Sequence, residues 1–170
     1  MTRRAILKAI FVAGTLDILS AVALTAMAGR PVDRMLAGIA AGPFGDGVIA
    51  LGLTAAMLGL VTHYALMSIM VVVFAGLIRR YPGLVHRPVA AGILYGLAIY
   101  AVMYWLVLPI RWPDTTQLFT LRAIGIPILI HITLVGLPIS LILSAAGRSS
   151  RQSAVHVAAS GMSSRQAPPA

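Results

Sequence analysis

The chain has 170 residues, of which 59% are hydrophobic and only 10% are charged, and it contains no cysteine. A soluble domain carries about a quarter charged residues, so this composition predicts a single membrane domain. The lack of cysteine excludes disulfides, thiolate metal sites and cysteine nucleophiles. The formal net charge is +9, but the basic residues lie at the ends of apolar runs, which argues against nucleic-acid binding.

The first apolar run predicts a retained membrane span at about residues 5–29. A basic start, an apolar stretch and the sequence Ala26-Met27-Ala28 also resemble a cleavable signal peptide, which is the alternative. Asp17 opposes that alternative because a carboxylate disfavours insertion of a signal sequence. Pro31 favours a spanning helix, since it cannot continue the helix that ends before it.

Residues 32–41 are too short to span a membrane and predict a short interfacial helix. Asp33 and Arg34 lie on one side of this helix, and the opposite side is apolar, which is typical of a helix in the plane of the interface. The apolar side chains are Val32, Met35, Leu36 and Ile39.

The longest apolar run covers residues 48–78, and it contains no Asp, Glu, Lys or Arg and a single histidine, His63. As a helix it would be about 46 Å long, against a hydrocarbon core of about 30 Å. We therefore expect a second span that is tilted or has protruding ends.

Two further spans are predicted at about 88–109 and 120–146, the last one with Pro127 and Pro138 in its interior. Tyr104, Trp105 and Trp112 near the end of the third span resemble an aromatic belt at a membrane interface. The predicted fold class is thus all-α, a polytopic membrane protein with four transmembrane helices and a short interfacial helix. Residues 1–147 would form the membrane domain, and 148–170 a disordered cytoplasmic tail.

The distribution of Lys and Arg predicts the orientation of the chain in the membrane. With four spans, nine of these residues lie on the side of both termini, and four lie on the other side. The nine are Arg3, Arg4, Lys8, Arg79, Arg80, Arg87, Arg148, Arg151 and Arg165. Both termini are therefore expected in the cytoplasm.

Three ionisable residues, Asp17, His63 and His131, are predicted near the middle of three spans. A charge at that depth costs about 2.5 kcal/mol or more, so each side chain should face the bundle and pairing is favoured. One interpretation is an intramembrane polar cluster that moves protons or a small solute. The other is that these side chains form hydrogen bonds between helices and only stabilise the packing.

Gly92 and Gly96 form a small-xxx-small pair, which predicts close helix packing. A non-catalytic membrane assembly partner, in which this pair contacts a second copy or another membrane protein, is therefore the alternative function. A third possibility is a haem b between His63 and His131, or a metal held by His63, His131 and Asp17. An enzyme ranks behind these, because no activated nucleophile or cofactor loop is present.

Four segments together resemble a known family. They are AGTLDILSA (13–21), GLVTHYALM (59–67), GILYGLAIYAVMYWLVLP (92–109) and HITLVGLPISLI (131–142). The set is similar to small bacterial inner-membrane proteins that are distantly like the YagU-type proteins. The resemblance implies four spans in the inner membrane of a bacterium. It leaves the activity open, because that family has no established one.

Overall fold

A computed structural model of the chain describes residues 2–114 and 120–149. The described part is 91% helical and contains no strand, which confirms the all-α fold class. The α-helices in chain order are α1 (Arg3–Met27), α2 (Val32–Phe44), α3 (Leu53–Arg80), α4 (Pro88–Arg111) and α5 (Leu121–Ser149). Short 3-10 helices at Asp46–Leu51 and Pro82–His86 connect α2 to α3 and α3 to α4.

Four of these helices, α1, α3, α4 and α5, are long and apolar enough to cross a membrane. Their positions agree with the four predicted spans, but one predicted boundary is wrong. The second span was expected to begin at Val48, whereas α3 begins at Leu53. Residues 46–51 form a separate 3-10 helix, and Gly52 follows with φ +56°, a conformation that favours glycine.

Two other predicted boundaries also differ from those in the structure. The short second helix extends to Phe44 rather than 41. Residues 148 and 149, predicted as the start of the tail, belong to α5. The remainder of the predicted tail, residues 150–170, lies outside the described residues.

Small side chains line many of the helix contacts, although Phe74, Ile139 and Leu143 are also fully buried, and many large apolar side chains lie on the outside. Ala9 and Ala13 are fully buried, whereas Phe11 is 66% and Leu121 is 93% exposed. Lipid tails are as apolar as leucine, so helices in a membrane gain little by burying large side chains. They associate through small residues that allow close backbone contact. The distribution therefore fits a helical bundle surrounded by lipid.

Helix α2 crosses α3 at Gly59. A Cβ atom at Gly59 would overlap the carbonyl group of Leu36 and would lie 3.5 Å from the Ala40 nitrogen. The α2 face in this contact consists of the buried alanines 37, 40 and 41. The larger side chains that define the predicted apolar face are only half-buried, because backbones this close leave room for alanine alone.

Helices α4 and α5 contact each other through three glycines. A Cβ atom at Gly92 would lie 2.9 Å from the Leu137 Cα, and one at Gly136 would lie 2.6 Å from the Gly96 nitrogen. Cβ atoms do not approach other groups this closely, so the two backbones are in direct contact. The predicted packing pair, Gly92 and Gly96, therefore lies inside the bundle.

Both α4 and α5 contain one widened π-helical segment, at Val102–Val107 and at His131–Gly136. Each segment ends two residues before a proline, Pro109 in α4 and Pro138 in α5. A proline ring clashes with the carbonyl group four residues earlier, and a wider turn relieves that clash. The helix therefore continues past Pro109 to Arg111 instead of ending there.

Polar side chains join the helix ends. Arg111 donates from Nε and Nη2 to the carbonyl oxygens of Ala41 and Gly42 at 2.9–3.1 Å, and from Nη2 to Asp46 Oδ1 at 2.8 Å. The guanidinium group thus caps the end of α2, where the Ala41 carbonyl oxygen also accepts from the Gly45 N–H group at 3.0 Å. At the other end of the bundle, Arg148 donates to the Val85 carbonyl oxygen at 2.7 Å.

Candidate functional site

The site begins where α1 and α3 touch. His63 Nε2 lies 2.9 Å from the Gly14 carbonyl oxygen, and the imidazole is buried. Gly14 permits this approach, because a Cβ atom there would lie 2.8 Å from Tyr64 Cε1. The Tyr64 hydroxyl in turn shares a hydrogen bond of 2.8 Å with Thr15. Two consecutive residues of each helix therefore fix the register of α1 against α3.

Asp17 lies one turn further along α1 and faces the second nitrogen of the same imidazole. Its Oδ2 is 3.9 Å from His63 Nδ1, and the two side chains are 21% and 9% exposed. This distance suits an ion pair but is longer than a hydrogen bond. The pair lies near the middle of two helices that are long enough to span a membrane.

The hydrogen bond to Gly14 constrains the protonation of this pair. A carbonyl oxygen only accepts, so Nε2 must carry a proton, and a neutral imidazole would then have a lone pair on Nδ1. That lone pair would face the carboxylate of Asp17, which also has only lone pairs. One additional proton, on Nδ1 or on the carboxyl group, removes this repulsion. The geometry therefore favours a pair that holds one exchangeable proton.

His131 opens the π-helical segment of α5. Its Nδ1 donates to the Pro127 carbonyl oxygen at 2.8 Å, which leaves Nε2 as the atom that can accept a proton. The edge of the imidazole packs against the rings of Tyr100 and Tyr104, with centroids 6.1 and 5.9 Å away. These two tyrosines stack on each other along α4 at 4.8 Å.

The structure brings the three predicted residues into one region but not into one contact. Among the described residues, no hydrogen bond or ion pair joins His131 to Asp17 or to His63. The carboxyl group of Asp17 is nevertheless close enough to both histidines and to Tyr104 to interact with them electrostatically. The cluster therefore consists of a close Asp17–His63 pair and a more distant histidine.

Sequence reasoning missed the aromatic wall of this cluster. Tyr104 was assigned to an aromatic belt, whereas its ring lies against His131 and Tyr100. The spacing of four residues between Tyr100 and Tyr104 places them on one helix face, and this signal could have grouped them. Gly14 carries no such signal, because the group that it contributes is a backbone carbonyl.

The geometry does not fit the haem or metal alternatives. An axial histidine ligand needs a free lone pair, but His63 Nε2 donates to Gly14, and its Nδ1 faces Asp17. Within residues 2–114 and 120–149, no three side chains of His, Cys, Asp or Glu are grouped as a metal site requires. We therefore derive no chemistry from a metal or from haem.

Comparisons with protein-family models, with curated proteins and with solved structures gave no match. The resemblance to YagU-type proteins thus stays a prediction, and the function must be argued from the site itself.

Proposed function

We propose that this chain is an integral protein of a bacterial inner membrane that moves protons, alone or with a small solute, through Asp17, His63 and His131. In this proposal both termini face the cytoplasm, as the distribution of Lys and Arg predicts. Ionisable side chains inside a membrane bundle are costly to bury, and proton relays are one of their main uses.

The observation that supports this proposal is the arrangement around the imidazole of His63. Its Nε2 proton is held by the Gly14 carbonyl group, so the Nδ1–Asp17 side carries the exchangeable proton. His131 has the corresponding arrangement, with Nδ1 held by Pro127 and Nε2 left to accept. Each histidine is thus oriented by a backbone carbonyl and can exchange a proton at its other nitrogen.

Proton flux into liposomes tests the proposal. Purified protein is reconstituted with a pH-sensitive dye inside the vesicles, and a potassium gradient with valinomycin drives proton entry. We expect wild-type flux above that of protein-free vesicles, and flux at the protein-free level for Asp17→Asn and His63→Gln. The glutamine amide still has an N–H group for the Gly14 carbonyl, so folding should be retained.

His86→Gln is the matched control, because this histidine lies in the 3-10 helix between α3 and α4, outside the cluster. Its flux should equal that of the wild type. Wild-type flux no higher than that of empty vesicles would refute proton movement. Equal flux in all variants would show that the cluster does not carry it.

The second candidate is a membrane assembly partner in which the cluster only stabilises the packing, and the direct bonds between α1 and α3 are consistent with that structural role. His63–Gly14 and Thr15–Tyr64 are the contacts of a purely structural register. The predicted docking pair is not available for such a partner, because α5 of the same chain covers Gly92 and Gly96. If this candidate is correct, His63→Ala will lower the unfolding midpoint while no flux is measured in the wild type.

A further inference from the structure

An open pocket of about 450 Å³ lies between the beginning of α1 and the end of α5. Its lining residues Lys8 and Leu141 are nine and ten residues from Asp17 and His131 along the chain, and the proposed function does not use it. The pocket is lined by Arg4, Ala5, Lys8, Leu141, Ile142, Ala145 and Ala146. Two cations from one helix and an apolar wall from another therefore line the same space.

Within residues 2–114 and 120–149, neither cation forms an ion pair with a carboxylate. Arg4 and Lys8 are one helical turn apart, so both side chains lie on the same face of α1. The whole chain has only four acidic residues. Asp17 faces His63 and Asp46 binds Arg111, while Asp33 and Asp114 belong to segments at the opposite end of the bundle. An external anion is therefore the natural partner of Arg4 and Lys8.

The other wall of the pocket requires an apolar ligand. Leu141 and Ile142 provide its apolar lining, and Ala145 and Ala146 keep it open because their side chains are short. Leu141 is 44% exposed along this wall. A free phosphate would satisfy the cations and leave these side chains uncovered. An amphiphile with an anionic head and an acyl chain covers both parts.

We propose that this pocket binds one anionic phospholipid of the adjacent leaflet. The headgroup phosphate lies between Arg4 and Lys8, and an acyl chain runs along the α5 wall towards the bilayer centre. Arginine and lysine near a helix end extend towards the interface in this way, with their aliphatic stems along apolar surface. The lipid fills the groove between α1 and α5 and holds the two helices together at this end.

Native mass spectrometry of the full-length protein in detergent tests this site. Phosphatidylglycerol, or phosphatidylcholine with the same acyl chains, is titrated into delipidated protein. We expect one tightly bound phosphatidylglycerol. Each cation near a membrane surface contributes roughly fivefold in affinity, so Arg4→Gln with Lys8→Gln should weaken this binding by about 25-fold.

Arg79→Gln with Arg87→Gln is the matched control, because it removes the same charge from the same end but outside the pocket. Its affinity should stay within about twofold of the wild type. Ala145→Phe keeps every charge and fills the groove, so it should also lose the tight lipid even if the double variant folds poorly. Equal loss in the control, equal binding of phosphatidylcholine, or displacement of the lipid by millimolar inorganic phosphate would overturn the proposal.

Discussion

Replacing Gly96 with alanine tests the backbone contact between α4 and α5. The added Cβ would meet the His131 carbonyl oxygen and lie 2.7 Å from the Ile132 Cα. Ordinary contacts begin at 3.4 Å, so the helices must separate by about 0.7 Å, the difference between these distances. Both obstructing groups belong to the backbone, and no side-chain rotation relieves the clash.

Overpacking of this kind costs typically about 1–3 kcal/mol. For a chain of this size, 2 kcal/mol corresponds to a fall of roughly 4–8 °C in the unfolding midpoint. The measurement is the thermal loss of the helical circular dichroism signal in detergent. Gly76→Ala is the matched control, because Gly76 lies within α3 and a Cβ there has nothing within 4 Å. Its midpoint should stay the same or rise slightly, since alanine favours helix.

Equal midpoints for Gly96→Ala and Gly76→Ala would show that α4 and α5 do not touch through their backbones, and the reasoning would fail. Gly136→Ala provides an independent check from the other helix. Its Cβ would meet the Gly92 carbonyl oxygen and lie 2.8 Å from the Gly96 Cα. We expect a loss of similar size.

Three further substitutions separate interhelical hydrogen bonds from exposed ion pairs. Tyr95→Phe removes the 2.6 Å hydrogen bond to the Met70 carbonyl oxygen. Because such bonds in membrane bundles average about 0.6 kcal/mol, the unfolding midpoint should fall by roughly 1–2 °C. An unchanged midpoint would mean that the bond is not formed. Arg111→Gln removes the donors to the Ala41 carbonyl and should cost more than Asp46→Asn, whose carboxylate is 63% exposed. Exposed ion pairs contribute about 0–1 kcal/mol, and the opposite order in the measured midpoints would contradict this assignment.

Hydropathy was sufficient to locate the four spans, because an apolar run of this length has few other structures open to it. It failed at the beginning of α3, where residues 48–51 are as apolar as the helix that follows. The chain leaves the α-helical path there because of the backbone conformation at Gly52. A composition window does not detect that conformation.

The candidate site was likewise only partly predictable from the sequence. Depth along the spans placed Asp17 and His63 at one level, and the structure has them 3.9 Å apart. The surroundings of His131 depend on the π-helical segment that begins at this residue. An extra residue in a turn rotates the following helix face by about 100°, so a pattern read at 3.6 residues per turn could not give the neighbours of His131.

The contacts of Arg111 constrain the order in which the bundle can be completed. During synthesis, Ala41 and Gly42 at the end of α2 leave the ribosome about seventy residues before the arginine that binds their carbonyl oxygens. Until then the Gly42 carbonyl oxygen lacks this donor, whereas the Ala41 oxygen already accepts from the Gly45 N–H group. The junction between α2 and α3 therefore reaches its final form only after α4 has been inserted, which makes the arrival of the third span a late step in biogenesis.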